Sequence, residues 1–181
     1  MQINIYNSIY ESYFKSEAYQ LDHQSALSLL SKYKRVFFVG NGGSNAICSH
    51  MMEDYAKIAK FKTQAFSDPA LITCYANDYG YENAMYEWIK LNGDKDSLLI
   101  AISSSGKSPN IINAAKAASE CEMGLMTLSG FKVENELSKL GDVNFYISAE
   151  NYGIVECFHQ IILHALLDDY ALLNIESIKT L

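Results

Sequence analysis

Proline is scarce: two in 181 residues, so long helices meet few interruptions. The four cysteines, Cys48, Cys74, Cys121 and Cys157, are widely spaced and form no CxxC pair. The plain reading is buried, reduced thiols in a cytosolic protein. Long apolar runs are missing. Leu98–Ile102 and Ile161–Leu167 are far too short to span a bilayer. Glu11, Lys15, Glu17 and Asp22 interrupt the N-terminal segment, which therefore lacks the apolar core of a secretory leader. Positive charge is also short, with 14 Lys and Arg against 21 Asp and Glu and a net charge of -7. Such a chain is a poor candidate for nucleic acid or an anionic membrane surface. An anionic ligand has to be held by local dipoles, not by global attraction. Internal repeats and low-complexity segments are absent.

What remains is a globular composition, 49% hydrophobic and 19% charged, on a chain of one domain's length. We expect residues 1–181 to form a single unit, with 1–34 a helical segment for oligomer packing and 35–181 an α/β core. Tyr6–Tyr33 reads as one long N-terminal helix or two joined ones, with Ile9, Tyr13, Phe14, Leu27 and Leu30 in an apolar stripe. The aromatics Tyr6, Tyr10, Tyr13, Phe14 and Tyr19 suggest packing on another subunit. Strands are expected at Arg35–Val39, Thr63–Phe66, Leu98–Ile102, Leu125–Leu128 and Asn144–Ile147. Helices are expected from about Asn45 to Lys60, after Ser108, and from Tyr152 to Leu173. Apolar strands alternating with helices predict a parallel sheet covered on both faces.

The strongest chemistry lies in Ser103-Ser-Ser-Gly-Lys-Ser108, between a buried strand and Pro109. Ser108 suits an N-cap and Pro109 the first helical position. The free N–H groups of that helix, its dipole, and the hydroxyls of Ser103, Ser104, Ser105 and Ser108 then converge on one anion, while Gly106 lets the backbone approach. Two look-alikes fail in detail. A nucleoside-triphosphate loop would need glycine where Ala101 stands. A dinucleotide fingerprint starting at Gly40 would need glycine where Asn45 stands, although Asp68 falls near the place of a ribose-binding acid. Further along the chain, His50, Glu53 and Asp54 lie three or four apart, so His50 with Asp54, or with Glu53, shares a helix face able to bind a metal.

Gly40-Asn-Gly-Gly-Ser44, Asn77-Asp-Tyr-Gly-Tyr-Glu82, Ile102-Ser-Ser-Ser-Gly-Lys-Ser-Pro-Asn110 and Leu128-Ser-Gly130 occur in the order seen in phosphoheptose isomerases, which are sugar-isomerase (SIS) domain proteins. The chain resembles that family over nearly its whole length. The resemblance implies a three-layer αβα fold with a five-stranded parallel sheet, of flavodoxin-like or Rossmann-like type, in a cytoplasmic homotetramer with active sites where subunits meet. It implies conversion of sedoheptulose 7-phosphate to D-glycero-D-manno-heptose 7-phosphate, toward lipopolysaccharide, capsule or related glycans. By the same resemblance Ser44, Ser103, Ser104, Ser105 and Ser108 bind the phosphate with Gly42 and Gly43 beside them, and Asn41 and Asp78 contact the sugar.

The family places a His and a Glu four apart on the helix after the glycine loop, and a Gln and a His eight apart on the last helix. These four can bind zinc, and the Glu and the distal His are its acid/base pair. Mapped here they fall on His50, Asp54, Glu156 and His164, which implies one Zn2+ per subunit. Asp54 and His164 are the expected catalytic pair, with Glu53 the alternative base. Two positions depart from the family. Asp54 reaches roughly 1.5 Å less far than Glu, and Glu156 brings a negative charge where the family has an amide. The usual arginine ahead of this run is absent, since the chain reads Gly153-Ile-Val-Glu156. His159 is expected to be a hydrogen-bonded core residue, Cys48 to be packing, and Lys107 to be solvated. A non-catalytic member of the fold is the competing reading, either a sugar-phosphate sensor or an assembly partner of the replication initiator. An isomerase for another ketose phosphate is a third.

Overall fold

The computed structural model describes residues 3–175. Five strands, β1 (Arg35–Val39), β2 (Lys62–Ala65), β3 (Ser97–Ser103), β4 (Gly124–Gly130) and β5 (Val143–Ile147), form one sheet in the order β2-β1-β3-β4-β5. Every pairing is parallel, with Val39 beside Ala101 and Ser103 beside Ser129. β3 and β4 are buried at every position, as a sheet covered on both faces requires. Alternate residues feed two separate cores. Val36, Phe38, Leu98, Ile100 and Leu128 face one, and Phe37, Val39, Leu99 and Leu125 face the other.

The first core is closed by α2 (Glu17–Leu30), α3 (Gly43–Lys57) and α7 (Tyr152–Ile175). The second is closed by α5 (Tyr81–Asn92) and α6 (Pro109–Glu120). α1 (Ile3–Phe14) and α4 (Pro69–Tyr79) complete the helices. Each fully buried Phe or Leu contributes about 1.5–3 kcal/mol over its exposed state.

Of the two readings of the N-terminus, the structure takes two helices. The chain breaks at Lys15–Ser16, where the Ser16 hydroxyl accepts the Tyr19 N–H and caps α2. The aromatics there were expected to pack on another subunit, and much of that surface instead packs within the chain. Phe14 stacks on Phe158 at 5.6 Å and Tyr19 meets Phe145 at 6.1 Å, while Ile3, Ile5 and Tyr10 remain exposed. Helices α4 and α5 were not foreseen. Asp68 is the N-cap of α4, its Oδ1 accepting the N–H groups of Ala70 and Leu71, so it is a helix cap and not a ribose ligand. α3 starts two residues earlier than expected and ends three earlier, and β2 begins at Lys62, one residue early.

Candidate functional site at the mouth of the sheet

In this strand order the chain moves outward from β1 to β2, then returns to the other side of β1 at β3. The crevice beyond the ends of β1 and β3 is therefore the switch point where open α/β sheets bind ligands. Both strands end there in glycine-containing turns. Gly40 lies so close to the Ser44 carbonyl that a Cβ would come within 2.7 Å of its carbon. Gly42 has φ 52 and Gly106 has φ 64, conformations that favour glycine. The space a side chain at 106 would fill holds the amide of Asn135.

A cleft of about 180 Å3 opens between these turns and the start of α7. Ser103, Ser104, Ser105 and Ser108 line one side, Asn41 and Ser44 another, and Tyr152 and Glu156 close it. Ser108 holds the N-cap position of α6, but its hydroxyl does not cap the helix; it lies 3.0 Å from the Ser103 hydroxyl. The first turn of α6 is thus left free of its own cap. The Ser104 hydroxyl is buried with no partner, an arrangement that costs free energy unless a ligand satisfies it.

Asn41, expected at the sugar, forms a reciprocal amide pair with Asn110: its Nδ2 donates to Asn110 Oδ1 at 3.0 Å, and Asn110 Nδ2 donates back at 2.8 Å. Tyr81 donates to Asn41 Oδ1 at 2.7 Å. Tyr81, Glu82 and Asn110 line a second cleft that shares Asn41 and Ser108 with the first. Tyr81, Asn110 and Tyr152 were not singled out from the sequence, although Tyr81 and Asn110 sit inside the quoted motifs. Asp78 stands exposed near the end of α4, its carboxylate accepting the Asn77 amide, and lines neither cleft.

The second cluster lies farther along α3 and α7. His50 Nε2 is 3.4 Å and His164 Nδ1 3.9 Å from Asp54 Oδ2, and the two imidazoles are 5.1 Å apart. One ligand atom from each of the three falls within 4.8 Å of the others. Two imidazoles and a carboxylate at such spacing match the donor set of a divalent zinc site. Glu156, expected as a fourth ligand, is not in this group. Its carboxylate lies against Gly43, where an added Cβ would overlap it. Glu53 is exposed and outside the group as well.

His159 is fully buried and its Nε2–H donates to the Ser129 carbonyl at 3.1 Å. Burial lowers its pKa from 6.5 to about 4, which keeps it neutral, as expected for a core histidine. Cys48 is buried, and burial pushes its thiol far above the usual range. Lys107 is exposed.

The SIS-domain family model matches residues 6–130. The chain belongs to the SIS-domain family. Its relatives narrow the branch to the phosphoheptose isomerases. The phosphoheptose isomerase of Fusobacterium nucleatum is 33% identical over 153 residues, covering 80% of this chain and 77% of the relative. That of Campylobacter jejuni serotype O:6 is 33% identical over 143 residues, covering 76% of each. The phosphoheptose isomerase structure from Neisseria gonorrhoeae superposes with a TM-score of 0.86 over 93% of this chain and 94% of its own, at 22% identity. At that identity it establishes the fold: an αβα SIS domain with a five-stranded parallel sheet.

Proposed function

We propose that this SIS-domain chain is an aldose–ketose isomerase that converts sedoheptulose 7-phosphate to D-glycero-D-manno-heptose 7-phosphate, supplying heptose for lipopolysaccharide or capsule. One observation carries the reading. A serine pocket with an unsatisfied buried hydroxyl is bordered by the starts of the same two helices, α3 and α7, that hold an acid–histidine cluster farther along. On α3, His50 follows Ser44 by six residues, about 9 Å of helix. The carbon chain of a heptose spans roughly 8 Å at bond lengths near 1.5 Å. A phosphate held by the serines therefore brings the far end of the sugar to the cluster.

The chemistry there moves one proton between adjacent carbons. A carboxylate removes the carbon-bound proton, the electron pair forms the enediol, and the proton returns to the neighbouring carbon. We assign this step to Asp54. Both of its histidine contacts fall on Oδ2, so Oδ1 is the oxygen assigned to the proton. His164 exchanges the hydroxyl proton. Ser103, Ser104, Ser105 and Ser108 hold the phosphate, with Ser44 beside them. His50, Asp54 and His164 would hold zinc, which when bound supplies Lewis acidity toward a carbonyl oxygen.

We extend the reading to the assembly. The exposed apolar residues of α1, with Tyr152 and Ile161 on α7, support a homo-oligomer, and we propose a tetramer. The helices of residues 1–34 share the first core with the rest, which supports one domain. Four free cysteines support a cytoplasmic location. No described helix is long and apolar enough to cross a membrane.

The test is incubation with sedoheptulose 7-phosphate in deuterium oxide, followed by proton NMR. The expected result is the aldose phosphate carrying solvent deuterium next to its carbonyl. Metal analysis should find about one zinc per chain, lost in the His50→Ala/His164→Ala double variant. Absence of both turnover and exchange with this sugar would overturn the reading.

A further inference from the structure

Glu156 sits in unexpected company. The serine hydroxyls and the two helix starts that frame the cleft present donors. Glu156 is the one carboxylate among the described residues that line it. Its Oε1, Oε2 and Cδ crowd the position a Cβ on Gly43 would take, so the carboxylate rests on the first turn of α3. That is the positive end of a second helix dipole, opening onto the same cleft as α6. Neither oxygen forms a hydrogen bond or ion pair with another described residue, and the side chain stands apart from the His50 group.

We propose that Glu156 is a specificity-determining residue of the phosphate pocket, one that penalises a bare anion and favours a phosphate carrying a hydroxylated chain. This rests on the reading of the serine cleft as the phosphate site. A carboxylate facing a phosphoryl group across a small cleft repels it, more strongly than in bulk water because protein replaces part of the solvent between them. Every anion in the pocket meets that repulsion. A polyol phosphate brings O–H groups next to its phosphoryl oxygens, and these can donate charge-assisted hydrogen bonds to a carboxylate that lacks a donor. Sulfate, a bare tetrahedral dianion, has no O–H to offer. The side chain thereby holds the α3 terminus against a bare anion, leaves the phosphoryl group to the serines ahead of α6, and reads the carbon chain that follows. Glutamine at this position would lift the repulsion while keeping the shape.

Titration calorimetry on the full chain decides this, with sulfate and glucitol 6-phosphate as probes. The latter is an open-chain polyol phosphate with no carbonyl to isomerise. At about pH 8, where the phosphate ester is a dianion as sulfate is, Glu156→Gln should tighten sulfate about tenfold and loosen glucitol 6-phosphate about threefold. Ser104→Ala should weaken both. If Ser104→Ala weakens both but Glu156→Gln leaves their ratio unchanged, this assignment fails and the phosphate site stands. If Ser104→Ala changes neither, the phosphate site itself is wrong. Zinc content should be equal in wild type and Glu156→Ala, whose side chain cannot ligate a metal. Loss of zinc in the variant would make Glu156 a metal ligand and overturn the proposal.

Discussion

The two halves of the site are built by opposite strategies. The anion pocket is written largely in one hexapeptide, Ser103–Ser108, shaped by a strand end and a helix start. The acid–histidine cluster draws on positions 50, 54 and 164, carried by two helices that meet only because both cover the same face of the sheet. The first uses backbone geometry and tolerates small losses. The second concentrates its chemistry in side chains with no substitutes nearby. Variants in the two halves should therefore differ in size and in kind.

The largest effect belongs to the cluster. Asp54→Ala and His164→Ala should each lower kcat about a hundredfold to ten-thousandfold, with loss of deuterium exchange. Glu53→Ala, exposed and outside the cluster, should stay near wild type. A large loss in Glu53→Ala with Asp54→Ala active would move the base to Glu53.

Next comes the buried histidine that ties α7 to β4. Its pKa is lowered in the fold, so the unfolded chain binds the extra proton, and stability falls as pH drops from 6.5 towards about 4. The loss is on the order of 3 kcal/mol at the lower end. Denaturant midpoints measured across that window should show it. In His159→Gln, less stable at neutral pH by about 1–3 kcal/mol, this component of the acid dependence should vanish.

Ser104→Ala comes third. It removes one donor from the phosphate, raising KM about tenfold with kcat little changed. A fall in kcat at constant KM would show that the hydroxyl serves the reaction instead of the grip. Lys107→Ala marks the small end. Its exposed ammonium should alter KM by less than about threefold, and that difference should fade with added salt.

The same contrast explains what could be read in advance. The sheet was legible because β1, β3 and β4 are short apolar runs ending in glycine or serine turns. The serine loop was legible because its members are consecutive. Ser108 shows the limit: its position as N-cap was readable, but the turn of its hydroxyl toward Ser103 depends on a neighbouring strand end. His50 and Asp54 were readable as a one-turn pair, whereas their meeting with His164 needed the family resemblance. Glu156 was placed with them by alignment alone. Eight residues along α7 put its Cα about 12 Å from that of His164, and packing against Gly43 set its direction. α4 and α5 were missed even though Asp68-Pro69 is a helix-start signal, because that aspartate invited comparison with a ribose-binding acid.

Asn135 carries a consequence for how the molecule comes into being. Its amide wedges against Gly106 and is itself pinned by Ser129, Gly130 and Lys132, all of them later in the chain than the loop they shape. During synthesis the serine loop leaves the ribosome well before its brace does. The pocket can reach its final form only after β4 has docked and the following turn has folded back beneath it. Competence to hold a phosphate thus waits on β4 and the turn that follows it.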